Sequence, residues 1–344
     1  MKADLAAILR YRPMVLEELK TYLKQRADNS DAGQADVAKR LLDFATSGKL
    51  LRGSLVCYSY ALCSGENSLP PAVLNTAVAL ELAHASLLIH DDIIDQDELR
   101  RGQPALHMQY GQLNSAAPRL GENLALCAGD MILLLAFELL GTLGDGSLTS
   151  LVARELGTVC AGQMRDVYLT ASDRPPSKRD IYDMMRAKTA GYSVALPLLA
   201  GAVLAGQPPA LRRHLYRLGL AAGTLFQIRD DELGIFGNPN KLGKPVGSDV
   251  REGKKTLLYY YLWRASSPAE RREWQTIFGN PQASQADISS VRRALRRHLV
   301  PERLQADTDR LKREASRHIE QLKIASSPKR ELRQLVEFCG QREA

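Results

Sequence analysis

Cysteine is scarce in this sequence: five residues, an odd number, widely spaced and with no CxxC pair. That excludes a disulfide framework and a zinc site built on thiolates, and it fits a reducing compartment. Aromatic residues make up only 6% of the chain. None lies among the paired arginines Arg292-Arg293 and Arg296-Arg297, so these lack the stacking platforms of a nucleic-acid surface. No unbroken apolar run reaches the roughly 18 residues read as a membrane span. The closest, Val194 to Gly206, is shorter and carries Pro197 near its start. The Met1-Lys2-Ala3-Asp4 start leads into a charged, helix-like stretch rather than a signal-peptide core, so the expected location is cytoplasmic. Glycine-rich phosphate loops (GxGxxG, P-loop) and β-hairpin signals are also missing.

What is present has the balance of a globular chain: 45% hydrophobic and 25% charged residues, with a formal charge of +7. Most of that excess sits in Ser267 to Ala344, where acids are interleaved with the bases. This is the pattern of solvated helix faces, and no nucleic-acid partner is expected.

Helical periodicity dominates. Leu5, Leu9, Leu16, Leu19 and Leu23 recur at helical spacing, with Pro13 inside the stretch, so a kinked helix or two short ones is expected over 3–27. Pro70-Pro71 can open a helix that stays apolar through Val73, Ala77, Leu80, Ala83, Leu87 and Leu88 as far as Asp91. Apolar around most of its circumference, that helix should be central. Further helices are expected over 121–141, 148–170, 178–206, 209–236, 255–264 and 302–324, punctuated by Gly/Pro/Asn turns. No repeat or linker divides the chain. The expected fold is all-α, a single domain over 1–344 with roughly ten or more helices.

The densest acidic cluster, His90-Asp91-Asp92-Ile93-Ile94-Asp95, ends the central helix. Asp91 and Asp95 lie one turn apart on one face, where their charges repel and the helix dipole also disfavours anions. A divalent cation relieves both, and Mg²⁺ suits carboxylates that share it with substrate phosphates. Gln227-Ile228-Arg229-Asp230-Asp231-Glu232 ends a second apolar helix in the same way. Two acidic clusters at the ends of two apolar helices imply a deep apolar cavity with metal at its mouth. Basic residues accompany both: Lys49 and Arg52 upstream, Arg100 and Arg101 after the first cluster, and Lys244, Lys254 and Lys255 after the second. Arginine forks and lysine charges beside Mg²⁺ are what a diphosphate requires.

These residues resemble the trans-isoprenyl diphosphate synthases, or polyprenyl synthetases, which have the isoprenoid synthase fold. The first aspartate-rich motif and its RRG triplet are matched by Asp91-Asp92-Ile93-Ile94-Asp95 and Arg100-Arg101-Gly102. The second is matched by Asp230-Asp231-Glu232-Leu233-Gly234, with Gly243-Lys244-Pro245 and Arg251-Glu252-Gly253-Lys254 downstream. Gln163 with Asp166 and the Lys188-Thr189 pair match two further elements, and Glu314 to Arg342 resembles the closing helices. The chain departs from the pattern in two places. The common GGKRxRP element reads Ser47-Gly48-Lys49-Leu50-Leu51-Arg52-Gly53, and the last position of the second motif is Gly234, a variant like that of geranylgeranyl diphosphate synthases.

The resemblance implies that Asp91 and Asp95 bind two Mg²⁺ and that Asp230, with Asp231, binds a third, making three per active site. Arg100, Lys188, Lys244 and Lys254 would hold an allylic diphosphate of C5 to C15, with Thr189 and Gln227 near its reacting end. Lys49, Arg52, His84 and Arg101 would hold isopentenyl diphosphate, and His90 is read as a core residue. Catalytic weight falls on Asp91, Asp95, Lys188, Asp230 and Lys244. Ser86 and Leu87 would gauge chain length, and a small Ser86 points to a C20 product, with C15 and C25 or longer as alternatives. A homodimer is expected.

Rivals from other classes explain less. A di-iron bundle would use Glu81-Leu82-Ala83-His84, but no second ExxH exists. An HD-type phosphohydrolase would leave Asp230-Asp231 unexplained. A terpene cyclase would not need Lys49, Arg52 and Arg101, and an inactive partner subunit would have eroded aspartates.

Overall fold

The computed structural model describes residues 5–29, 31–66, 68–114, 117, 119–237 and 246–341. They form α1 (Ala6–Leu9), α2 (Arg12–Asp28), α3 (Ala32–Thr46), α4 (Leu51–Ser64) and α5 (Pro71–Asp95). A two-residue antiparallel pair follows, β1 (Leu99–Arg100) with β2 (Gln103–Pro104), then α6 (Leu106–Gly111), α7 (Leu120–Gly141) and α8 (Gly146–Ala171). Next come α9 (Lys178–Met185), a π-helical segment (Arg186–Ala195), α10 (Leu196–Leu204) and α11 (Pro209–Phe236). The last six helices are α12 (Ser248–Arg251), α13 (Leu257–Ala265), α14 (Pro268–Ile277), α15 (Gln285–Arg297), α16 (Val300–Gln321) and α17 (Ser326–Gln341). The fold is all-α, as expected. Among the described residues two compact units are distinguished, one of Leu5–Ala153 with Pro197–Arg212, the other built from Arg154–Leu196 and the chain from Arg213 onward.

The alternatives around Pro13 resolve as two helices: α2 begins afresh at Arg12, with the proline in its first turn, where a missing N–H costs nothing. In the Leu5–Ala153 unit, α5 is the spine, packed against α2, α4 and α7. Its Val73, Ala77, Val78, Ala79, Leu82 and Ala83 are at most 1% exposed. A Cβ at Gly129 of α7 would come within 2.3 Å of His90 Nε2, so this glycine makes room for the ring. His90 thus faces Leu126 O and Asp130 of α7, each 3.4 Å away, but it is half-buried rather than a core residue, because Asp130 and the end of the helix are open to solvent.

One expectation is corrected. The sequence carries no familiar hairpin signal, yet β1 and β2 pair across Arg101-Gly102, Arg100 opposite Gln103. Both turn residues have positive φ, 54° at Arg101 and 76° at Gly102, the mirror-image turn that suits strand twist. An arginine in the first of these places is unusual because its Cβ crowds the backbone there. The usual Asn-Gly or Asp-Gly marker is therefore missing.

Three helical stretches, Pro71–Asp95, Leu120–Gly141 and Lys178–Leu204, are long and apolar enough to cross a membrane by length and composition. Polar residues interrupt each one, which is why none contains an unbroken apolar run of spanning length. The apolar windows of the first and third are 67% and 61% buried, whereas that of α7 is only 39% buried.

Candidate functional site

The candidate residues fall into two groups, one in each unit. In the first, α5 carries Asp91 and Asp95, both half-buried, on its last turns. The aspartate between them is different: Asp92 is 1% exposed and accepts from Arg100, whose Nε is 2.7 Å from Asp92 Oδ1. Arg100 also reaches Asp97 at 3.2 Å. The motif therefore divides its labour: Asp92 faces inward and fixes the β1–β2 hairpin, while Asp91 and Asp95 stay half-buried at the end of the helix.

The hairpin turn directs Arg101 back across the chain, where its Nη1 donates to Phe44 O at 3.2 Å and Ser47 Oγ at 3.1 Å. A Cβ at Gly48 would meet this guanidinium at 2.9 Å, so glycine lets it lie flat on the loop. Arg12 donates to Gly48 O from the other side. Lys49 is exposed, and Arg52 opens α4 one turn on. A small cavity lined by Phe44, Glu81, His84, Leu88 and Arg101 lies beside them. Burial, then the guanidinium groups of Arg52, Arg101 and Arg100, hold His84 well below the ordinary imidazole range. It is therefore a neutral ring among cations, able to donate a hydrogen bond to an anion but not to add charge. Ser86 is fully buried on α5 and Leu87 half-buried; the Ser86 hydroxyl has no hydrogen-bond partner among the described residues.

The second group gathers on a π-helical segment, a form concentrated at functional sites. Glycines bring its neighbours close: a Cβ at Gly162 of α8 would lie 2.4 Å from Lys188 N, and one at Gly223 of α11 2.6 Å from Ala190 Cα. One turn beyond Gly162, Asp166 accepts from Lys188 Nζ at 2.7 Å. One turn beyond Gly223, Gln227 Oε1 accepts from Thr189 Oγ1 at 2.7 Å, and its Nε2 donates to Asp231 Oδ1 at 2.7 Å. Gly219, Gly223, Gln227 and Asp231 thus form one i, i+4 stripe on α11: close packing below, polar groups above. Burial raises the Asp231 carboxyl well above its usual range, with Asp249 and Asp166 adding to it and Gln227 and Lys254 opposing. Asp230, next to it, is exposed.

Asp249 is not singled out by the sequence. A Cβ at Gly234 would come within 2.7 Å of its Oδ2, and Gly247 N–H donates to Gly234 O at 2.9 Å. The room left by glycine at the last motif position is taken by a carboxylate from fifteen residues on. Its signal, an aspartate within Gly247-Ser248-Asp249, is weak without knowing that Gly247 docks on α11. Lys254 pairs with Glu252 at 2.7 Å, and Lys244 lies outside the described residues.

The donor chemistry fits Mg²⁺. Both groups offer hard carboxylate oxygens, and the like charges around Asp231 call for a cation or a proton. Among the described residues no three carboxylate, imidazole or thiol groups gather within metal-binding reach of one point. Phosphate oxygens and water would have to complete any coordination sphere, as is usual for Mg²⁺.

The model of the polyprenyl synthetase family matches residues 36–295. The short chain isoprenyl diphosphate synthase of Methanocaldococcus jannaschii is 34% identical over 288 residues, 81% of this chain and 80% of that protein. The geranylfarnesyl diphosphate synthase of Aeropyrum pernix is 33% identical over 249 residues, 70% of this chain and 73% of its own. Among solved structures, geranylgeranyl pyrophosphate synthase from Corynebacterium glutamicum, complexed with isoprenyl diphosphate and magnesium, superposes with a TM-score of 0.87. It is 30% identical, over 98% of this chain and 99% of that one.

Proposed function

The chain belongs to the polyprenyl synthetase family and is a prenyltransferase, and from that premise we propose that it makes geranylgeranyl diphosphate (C20). It would condense isopentenyl diphosphate head-to-tail with an allylic diphosphate, keeping all double bonds trans. One observation carries the two-diphosphate reading: α5 bears the Asp91/Asp95 pair and, two turns back, faces a second cationic pocket around neutral His84. A terpene cyclase has one diphosphate to hold and no use for that pocket.

In this mechanism Asp91 and Asp95 hold two Mg²⁺ and Asp230, with Asp231, a third. Bound Mg²⁺ supplies a Lewis acid for the charge that develops on the departing allylic diphosphate. Lys188, Lys244 and Lys254 bind that diphosphate as point charges, and Arg100 adds a fork whose orientation Asp92 and Asp97 preset. Thr189 and Gln227, linked to each other, are a polar pair for the reacting end. Lys49, Arg52 and Arg101 bind the diphosphate of isopentenyl diphosphate, and His84 donates to it without adding repulsion among the cations. Its alkene attacks the allylic cation, and a proton then leaves, for which the released diphosphate is a base. The apolar wall of α5 keeps water from the cation.

The C20 assignment draws on the small buried Ser86 and on the likeness to a geranylgeranyl synthase; relatives with longer products keep C25 open, and C15 is the shorter alternative. Purified protein with Mg²⁺, labelled isopentenyl diphosphate and, separately, C5, C10 and C15 primers should yield a product that sizes as C20 after dephosphorylation. Another length sinks only the C20 assignment. No Mg²⁺-dependent incorporation from any primer, in folded protein, sinks the synthase.

We propose further that the chain works as one domain over 1–344, in a reducing, cytoplasmic setting consistent with its five free thiols. It would act as a homodimer. The support is α7, which leaves Leu126 and Leu134 51% and 67% exposed, apolar surface that association would cover. Leu134→Glu should then halve the mass measured by light scattering; a dimer that survives unchanged would exclude this face.

A further inference from the structure

The helix that carries Arg52 begins oddly. The N-cap of α4 is Leu50, in the left-handed region at φ 48° and ψ 43°, and its side chain caps nothing. The first N–H groups of a helix have no partner within it and need one from elsewhere. Here it comes from another helix. Glu81, ten residues before Asp91 on α5, is 4% exposed, and its Oε1 accepts the Gly53 N–H at 2.7 Å. Burial raises the Glu81 carboxyl, opposed by Arg52, the Gly53 N–H, Arg101 and the Arg52 N–H. One buried carboxylate thus touches or faces two N–H groups of α4's first turn and two of the cations assigned to isopentenyl diphosphate.

Gly53 is also where this chain departs from the GGKRxRP pattern. Proline has no N–H, so a chain with proline there cannot make this bond. Nor would a side chain fit: a Cβ at Gly53 would lie 2.7 Å from Val15 Cγ1, 3.1 Å from Ala77 O and 3.2 Å from Glu81 Cγ. Glycine at 53 both lets α2 close over α4 and supplies the donor. The loop before it is held at its other end by Arg101 and Arg12, leaving Glu81 to fix the helical end.

We propose that Glu81 is a positioning residue for the second diphosphate. Through the Gly53 N–H it caps the first turn of α4 and sets Lys49 and Arg52 against Arg101 and His84. The proposal rests on the two-diphosphate reading given above.

Steady-state kinetics on the full chain, varying each diphosphate separately, tests it in three variants: Glu81→Ala, Glu81→Gln, and Gly53→Pro combined with Val15→Ala, which removes the nearest of the three contacts a Cβ would make. The KM for isopentenyl diphosphate should rise about tenfold or more in Glu81→Ala and in the double variant. The allylic KM and kcat should stay within about threefold of wild type. Glu81→Gln, whose amide oxygen still accepts from Gly53, should recover most of the affinity. An unchanged isopentenyl diphosphate KM in the folded double variant overturns the proposal. So does a Glu81→Gln as impaired as Glu81→Ala, and so does an equal loss toward both substrates, which would mark a merely structural role. Should Glu81→Ala fail to fold, the other two decide. A wild-type chain that incorporates no isopentenyl diphosphate overturns the functional reading itself, and the proposal with it; an active wild type with unaffected variants overturns the proposal alone.

Discussion

Replacing Asp91 or Asp95 by alanine is expected to lower kcat/KM for condensation by on the order of 10³-fold, while leaving the fold intact. Charge stabilisation by a divalent cation on a leaving diphosphate accounts for several kcal/mol of barrier, and each 1.4 kcal/mol is about tenfold in rate. The same carboxylates are expected to matter less to the fold than Asp92 does. They sit one turn apart at the C-terminal end of α5, where like charge and helix dipole both oppose them. Thermal stability of these variants should therefore equal or slightly exceed that of wild type. Asp92→Ala is expected to do the reverse. It leaves Arg100 in a half-buried place without its main counterion, and breaking a buried pair typically costs about 3–5 kcal/mol. Melting curves alongside kinetics separate the two outcomes. Full activity in Asp91→Ala would remove the metal reading of the first motif, and an undiminished melting temperature in Asp92→Ala would remove its structural one.

The second large effect concerns product length. Ser86 is fully buried on α5, five residues before Asp91, and Leu87 beside it is half-buried. If the growing chain runs along this face, a phenyl ring at 86 meets it where a hydroxymethyl does not. Ser86→Phe should move the main product from C20 to C15 or shorter while C5 and C10 primers remain substrates. Overpacking the helix is expected to cost about 1–3 kcal/mol of stability, which the fold should tolerate. Product sizing after dephosphorylation decides it. Retention of C20 in a folded, active variant would place the floor on some other helix.

Local spacing makes much of this arrangement legible in the sequence. The start of α5 at Pro71, the carboxylates one turn apart at its end and the ends of α11 follow from periodicity and proline placement. So does the position of Gln227 one turn before Asp231. The close approaches are what local spacing does not carry. Glycines at 219 and 223 read as weak points in a helix until Ala195 and Ala190 are found against them. The π-helical turns under Lys188 have no local sequence marker either. The contacts of Asp249 and Glu81 escape a reading of the sequence for a related reason: their partners, Gly234 and Gly53, lie fifteen and twenty-eight residues away, and a glycine names no partner. The Arg101-Gly102 turn escapes it because an arginine stands where turn chemistry prefers asparagine or aspartate.

That arginine has a consequence for how such a chain can change. A residue other than glycine in the left-handed region carries a penalty of roughly 1–2 kcal/mol. A search that rewarded only thermal endurance would therefore favour glycine at 101, and would discard the guanidinium lying on Gly48. Hairpin stability and the loop contacts of the guanidinium compete for this one position. Arginine at 101 therefore gives up some hairpin stability for a guanidinium that lies on the Gly48 loop.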